Sequence, residues 1–203
     1  MTCAIVLAAG ASRRMGTRKV LLPFAGSTII ARVVDALLEA PVDRVFVVVR
    51  PGDDALKAAL GARPVCCVEN PETGGDMLSS LRCGLRAAPS TTGAFVATPA
   101  DLPSIEPRLV RALLAAFRAG GHGILAPTHR GRRGHPLVFA ARYRAELLSA
   151  HDGIGLRGLL AAHPDEVGEW PSAGPAVLED LDTPADYDRS LRKRAAGRGE
   201  RAF

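Results

Sequence analysis

Aromatic residues are scarce, at 4% of a 203-residue chain, which excludes the base-stacking platform that holds single-stranded nucleic acid. Long apolar runs are missing too. The stretch that opens with Met1, Thr2 and Cys3 ends at Gly10, too short to span a bilayer, and it carries neither a basic leader nor a cleavage site. A cytoplasmic protein with no membrane partner is therefore expected. Cys3, Cys66, Cys67 and Cys83 show no CxxC spacing, and neighbours on a strand such as Cys66 and Cys67 point to opposite faces, so reduced thiols are expected. The glycine-containing segment after the first apolar run has neither GxGxxG nor P-loop spacing, which disfavours a dinucleotide site and an ordinary NTPase there. No internal repeat or low-complexity segment is evident.

What is present suits one compact domain. Hydrophobic residues make up 47% of the chain, enough for a substantial core. The formal charge of +5 owes much to Arg189, Arg192, Lys193, Arg194, Arg198 and Arg201; without them the charges roughly balance, so nucleic acid is a weak candidate partner. The expected division is a domain over 1–190 and a basic, solvated tail over 191–203, frayed after Gly197.

Short unalternating apolar runs at Cys3–Ala8, Arg44–Val49, Pro64–Val68 and Gly93–Ala97 predict strands of a parallel sheet covered on both faces. Between the first two lies a helix pattern, capped by Ser27, with Ile29, Ile30, Val33, Val34, Leu37 and Leu38 on one face. Another helix is predicted from Ser104 to Arg118, stopped by Gly120 and Gly121. This alternation predicts a three-layer α/β/α fold with a mostly parallel sheet. The second half departs from the rhythm. Gly123–Pro127 and Pro136–Phe139 are predicted as strands of a hairpin or insert above the sheet, joined by a polar segment. Helical stretches at Arg142–Ala150 and Gly155–His163 follow, then strands near Glu166–Trp170 and Val177–Leu181.

The most informative segment follows the first strand: Leu7, Ala8, Ala9, Gly10, Ala11, Ser12, Arg13, Arg14, Met15, Gly16, Thr17, Arg18, Lys19. Small residues at the carboxyl end of a strand let backbone N–H groups approach phosphate oxygens, and Arg13, Arg14 and Lys19 bring the charge that holds a triphosphate. Open α/β sheets bind ligands at that edge. Asp101 follows a strand and precedes a helix, which puts its carboxylate on the same edge, and Mg²⁺ needs only one or two carboxylates beside substrate phosphates. Asp182, before Thr183 and Pro184, suits either a second metal carboxylate or, like Thr183, a helix cap. Trp170 is read as packing, and His129 and His151 are given no role.

The loop resembles the signature of the MobA-like nucleotidyltransferase family, and particularly its molybdenum-cofactor cytidylyltransferase branch. The resemblance extends over nearly the whole chain. It includes Asn70 with Gly74, Gly75, Ser79, Ser80 and Leu81; Ala100, Asp101, Leu102, Pro103; Gly134, His135, Pro136; and the run from Asp180 to Tyr187. The resemblance implies a Rossmann-like nucleotide-diphospho-sugar transferase fold and Mg²⁺-dependent transfer of CMP from CTP to the phosphate of molybdenum-molybdopterin, with a molybdenum enzyme or its maturation chaperone receiving the product. Lys19, Arg13 and Asp101 are then catalytic, with Asp101 and Asp182 holding the metal. Leu7, Ala8, Ala9, Gly10, Ser12, Arg13, Lys19, Asn70, Gly75, Ser79 and Ser80 bind the nucleotide. His135 and Arg133 bind the anionic acceptor.

Departures bear on the choice of base and acceptor. Ala9 stands where guanylyltransferase relatives generally carry a second Gly, a likeness to pyrimidine-using members. Ala100 and Leu102 stand where relatives often have Gly and Gln, so acceptor contacts made by the residue after Asp101 are in question. A guanylyltransferase, a sugar-phosphate nucleotidyltransferase and a non-catalytic cofactor carrier remain alternatives.

Overall fold

The computed structural model describes residues 1–10, 15, 18–72 and 76–199. The chain runs β1 (Thr2–Leu7), β2 (Pro23–Phe24), β3 (Ser27–Thr28), α1 (Ile29–Leu38), β4 (Arg44–Val49), α2 (Asp54–Leu60), β5 (Cys66–Glu69), α3 (Met77–Ala87), β6 (Ala94–Pro99), α4 (Pro107–Ala119), β7 (Ile124–His129), β8 (Arg132–Arg133), β9 (Leu137–Ala140), α5 (Arg144–Ser149), α6 (Leu156–Ala162), β10 (Val167–Pro171) and α7 (Pro184–Gly199).

The main sheet has the order β10-β7-β9-β6-β1-β4-β5, with β8 added beside β7. Strands β1, β4, β5 and β6 pair in parallel, and β7 pairs in parallel with β10. Only β8 and β9 run antiparallel to their neighbours in this sheet. Alternate residues of each central strand feed opposite cores. Ala4 and Val6 of β1, with Val45, Val47 and Val49 of β4, join the side chains of α1, α2 and α4. Cys3, Ile5, Phe46 and Val48 join those of α3, α5 and α6. That is why these strands read as unbroken apolar runs: both faces are covered. The packing of α3 on β1 is close enough that a Cβ at Gly84 would lie 2.5 Å from the Ile5 side chain.

The structure revises several expectations from the sequence. Strands β7 and β9 lie within the central sheet, between β10 and β6, rather than above it. The hairpin is formed instead by β7 and β8, which pair His129 with Arg132. Its two turn residues, Arg130 and Gly131, have φ of 51° and 73°, the handedness that matches strand twist in a two-residue loop. Thr28, not Ser27, caps α1, accepting from the Ala31 amide at 3.3 Å, because the helix begins at Ile29 and Thr28 directly precedes it. Helix α4 starts at Pro107 rather than Ser104, with proline in its favoured first turn. The strand expected at Val177–Leu181 is not formed; Pro175–Leu178 is a short 3₁₀ turn, with Val177 buried.

Helix α7 crosses the boundary expected at residue 190. Ser190 is buried, Leu191 packs beside Phe24 and Leu181, Lys193 pairs with Glu179 at 2.5 Å, and the Arg194 guanidinium lies 5.7 Å from the Phe24 ring centroid. These contacts engage part of the basic excess with the rest of the fold, although Lys193 itself is exposed. No helix among the described residues is long and apolar enough to cross a membrane.

Candidate active site

Three backbone connections gather the site at the carboxyl edge of the sheet. The Ala8 amide donates to Val48 O at 2.9 Å, the Ala100 amide to Leu7 O at 3.2 Å, and the Leu181 amide to Asp101 O at 3.1 Å. The loops after β1, after β6 and before α7 are thereby tied together, and their side chains converge. Lys19 Nζ lies 2.5 Å from Asp101 Oδ2 and 2.8 Å from Asp182 Oδ1. Burial works to lower the Lys19 pKa, but the charge and hydrogen bond of Asp101, reinforced by Asp182, hold it above the ordinary lysine value. Partial desolvation, together with the charges of Asp182 and Asp101, raises the carboxyl of nearby Asp180.

The alternative roles of the Asp182 segment separate here. Thr183 and Asp186 form a reciprocal cap at the start of α7: the Asp186 amide donates to Thr183 Oγ1 at 3.2 Å, and the Thr183 amide to Asp186 Oδ2 at 2.9 Å. Thr183 supplies the cap, while Asp182 turns to Lys19.

The same residues pass a chemical test for a divalent cation. Two carboxylates meet at Lys19, and the buried Asp101 Oδ1 has no hydrogen-bond partner among the described residues. The described residues contain no group of three or more His, Cys, Asp or Glu side chains arranged for a metal. A hard cation here would draw its remaining ligands from water and substrate phosphate, as Mg²⁺ ordinarily does.

Two adjoining cavities lie here, the smaller of them lined by Lys19 and Asp101. The smaller, about 250 Å³, is lined by Leu7, Ala8, Gly10, Lys19, Ser80 and Asp101, among others. The larger, about 800 Å³, includes His135, Arg133, Ile154 and Arg157 in its wall. Asp76 and Met77 border both. Asp76 caps α3, its carboxylate accepting from the Ser79 amide at 2.8 Å.

Not every expected nucleotide contact reaches the smaller cavity in the same way. Ser80 lines it, whereas Asn70 and Ser79 are buried and engage one another. Asn70 Nδ2 donates to Ser79 Oγ at 3.0 Å and to Ser80 Oγ at 3.1 Å, and Asn70 Oδ1 accepts from the Glu72 amide at 3.0 Å. Both amide donors of Asn70 are thus spent holding the turn before α3. Ser12, Arg13 and Gly75 lie outside the described residues.

On the acceptor side, Arg133 pairs with Glu169 at 2.7 Å. His135 borders the cavity, and its Nδ1 is buried without a hydrogen-bond partner among the described residues. Burial lowers the His135 pKa, against opposing effects of Asp101 and the Ala97 backbone, so the imidazole is neutral near pH 7. The sign follows directly: below its ordinary value of 6.5 the unfolded chain takes up a proton that the folded chain resists. Acidification from pH 7.5 to 5.5 should therefore cost wild type more stability than His135→Gln. Calorimetry at both values checks this, and equal losses would contradict it.

Sequence reasoning missed Met77, Ile154 and Arg157. The large exposed hydrophobics are Met1, Met77 and Ile154, and two of these three border the larger cavity. Arg157 is exposed there and has no ion-pair partner among the described residues. Arg82 holds the loop carrying Ile154, donating to the carbonyls of Leu147 and Ala150 at 2.8 Å each. Met77 belongs to no local pattern, and Ile154 and Arg157 fall in Gly153-Ile154-Gly155-Leu156-Arg157-Gly158, whose GxGxxG spacing follows a helix rather than a strand and so carries no dinucleotide signature. Leu102, beside Asp101, is 1% exposed in the core and does not face the acceptor side.

Residues 4–167 match the model of the MobA-like NTP transferase domain. The chain belongs to the MobA-like NTP transferase family. Its relatives include the nicotine blue oxidoreductase of Paenarthrobacter nicotinovorans, 30% identical over 92% of this chain and 95% of that one. The molybdenum cofactor guanylyltransferase of Rhodobacter capsulatus is 32% identical over 94% and 97%, and the molybdenum cofactor cytidylyltransferase of Escherichia coli 24% identical over 90% and 92%. Among solved structures, Rv0371c of Mycobacterium tuberculosis superposes with a TM-score of 0.83 at 27% identity, covering 94% of this chain and 97% of that one. A manganese complex of that protein gives a TM-score of 0.78 at 25% identity, over 94% and 98%. The mostly parallel sheet and the site at its carboxyl edge thus belong to a nucleotidyltransferase of the MobA-like family.

Proposed function

We propose that this MobA-like protein transfers CMP from CTP to the phosphate of molybdenum-molybdopterin, releasing pyrophosphate. The observation that carries the reading is the placement of Lys19 between Asp101 and Asp182, with Lys19 and Asp101 in the wall of a smaller cavity that shares Asp76 and Met77 with a larger one. The smaller takes the nucleotide, with its phosphates against Gly10 and Lys19 and its base towards Ser80. The methyl of Ala9, where guanylyltransferase relatives generally carry glycine, would crowd a larger purine, which favours a pyrimidine. Ser12, Arg13 and Gly75, outside the described residues, are assigned to the nucleotide on the resemblance of their motifs alone.

The larger cavity takes the acceptor. Its apolar surfaces, Met77 and Ile154, suit the flat body of a pterin, and Arg133 and Arg157 supply positive charge for its phosphate. An acceptor phosphate oxygen attacks the α-phosphorus of CTP, forming a P–O bond while the bond to the β-phosphate oxygen breaks and pyrophosphate departs. The attacking oxygen is already anionic, so no general base is required, and the neutral His135 positions the acceptor rather than taking a proton. Lys19 offsets the charge that builds on the α-phosphate. Asp101 and Asp182 would hold Mg²⁺, which would supply further charge neutralisation at the phosphates. The relative solved with manganese supports a divalent cation on this fold.

Pyrophosphate release with Mg²⁺ and each of CTP, GTP, UTP and ATP, with and without molybdenum-loaded molybdopterin, tests the reading. Release only with CTP and that acceptor is the expected result; release with GTP moves the protein to the guanylyltransferase reading. The likeness to nicotine blue oxidoreductase favours a second, redox reading. It expects silence with all four triphosphates and a change in the redox state of nicotine blue, supplied with a redox co-substrate, instead.

Asp101→Asn should weaken Mn²⁺ binding, measured by paramagnetic resonance in the presence of CTP, by at least about tenfold, the scale of losing one charge-assisted ligand. Asp182→Asn should have the smaller effect, since its carboxylate is the more exposed. Equal Mn²⁺ binding in wild type and Asp101→Asn would remove Asp101 from the metal site.

A further inference from the structure

Two side chains on the turn after β4 take no part in the reaction above, yet they hold both flanks of the phosphate loop. Arg50 Nε donates to the carbonyl of Ala9 at 3.0 Å, and its Nη2 donates to that of Gly10. Three residues later, Asp53 stands at the N-terminus of α2. Its Oδ1 accepts from the Leu56 amide at 3.1 Å, and its Oδ2 pairs with the Arg18 guanidinium. Gly10 and Lys19 both line the smaller cavity. Ala9 and Gly10 stand on one flank, Arg18 next to Lys19 on the other, and one four-residue turn grips both.

The chemistry of each group fits this task better than a purely local one. The Asp53 side chain is only 2% exposed, and a buried carboxylate is costly unless a cation answers it. Capping α2 does not require that charge, because asparagine caps equally well; the charge is answered by Arg18. Arg50 uses a planar fork to span two consecutive carbonyls, a geometry that lysine cannot reproduce.

We propose that Arg50 and Asp53 are positioning residues that fix Gly10 and Lys19 for a metal-bound nucleoside triphosphate, so that nucleotide affinity depends on two side chains that do not touch the nucleotide. The inference rests on the nucleotidyltransferase reading of the same site.

Hydrogen exchange and CTP calorimetry on the full chain with Mg²⁺ test it together, using Arg50→Ala, Arg50→Lys and Asp53→Asn. In each variant, exchange in the peptide from Leu7 to Val20 should quicken at least about tenfold, as expected when a charged hydrogen bond closing a local opening is lost. CTP affinity should fall by at least about tenfold on the same grounds. Protection of α2 should persist in Asp53→Asn, because the cap remains. Unchanged exchange in all three variants overturns the clamp, whether or not the protein binds CTP. Quicker exchange with undiminished CTP affinity overturns the positioning role. If wild type binds no triphosphate while exchange still quickens, the nucleotidyltransferase reading and the triphosphate part of this proposal both fail, and the clamp alone stands.

Discussion

Lys19→Ala is expected to lower kcat for pyrophosphate release by at least about tenfold, and by up to roughly 10³-fold if Lys19 is the main fixed charge at the α-phosphate. The KM for the nucleotide should move less, because the charge of Lys19 matters most as the transition state forms. The second half of the expectation comes from geometry. Lys19 lies between Asp101 and Asp182, and removing it leaves two carboxylates facing one another, with Asp180 close by. Without that cation, Mn²⁺ in the absence of nucleotide should bind at least as tightly as to wild type. Steady-state kinetics and a paramagnetic-resonance titration of one preparation check both halves. An unchanged kcat would remove Lys19 from catalysis; weaker Mn²⁺ binding would mean that the lysine organises the carboxylates rather than competing for them.

Gly134→Ala should be the most destabilising single-methyl change near the acceptor cavity. A Cβ at Gly134 would lie 2.1 Å from Val177 O and 2.7 Å from Val177 C. Both are backbone atoms, so no rotamer change relieves the clash. The Gly134 amide donates to Pro127 O and the His135 amide to Val177 O, both at 2.8 Å, so moving the chain apart also strains or breaks these bonds. The cost should be about 3 kcal/mol, the upper end for overpacking, which lowers Tm by roughly 6–12 °C in a chain of this size. Below its Tm the variant should still bind CTP, since Gly134 borders the larger cavity and not the smaller. Calorimetry and nucleotide binding decide it; a Tm within a degree of wild type would show that the turn at Val177 yields freely.

Much of the fold was legible locally because its strands are buried on both faces. Arg44–Val49 was predicted residue for residue, as its five valine and phenylalanine side chains satisfy either core. The error at Val177–Leu181 has the opposite origin. That segment is apolar enough for a strand, but Pro175 starts a 3₁₀ turn and the Leu181 amide is committed to Asp101 O. The strands β7 and β9 were found, but their place between β10 and β6 was not, because strand order depends on pairing between distant segments.

The sequence by itself determined the class of chemistry. A small-residue loop with basic side chains after the first strand, and a carboxylate at the end of another, suffice for a phosphate site on the edge of an α/β sheet. Those are local facts, set by residue type and by the alternation of strand and helix. The tertiary structure decided that Thr183 caps α7 while Asp182 meets Lys19. It also turned Asn70 and Ser79 towards one another, left Arg157 at the acceptor side without a partner among the described residues, and brought Arg50 and Asp53 against the loop. Each of these pairs groups that are distant in sequence or that compete for the same partner, and hydrogen-bond and charge satisfaction in a closed space selects among pairings that the chain alone leaves equivalent.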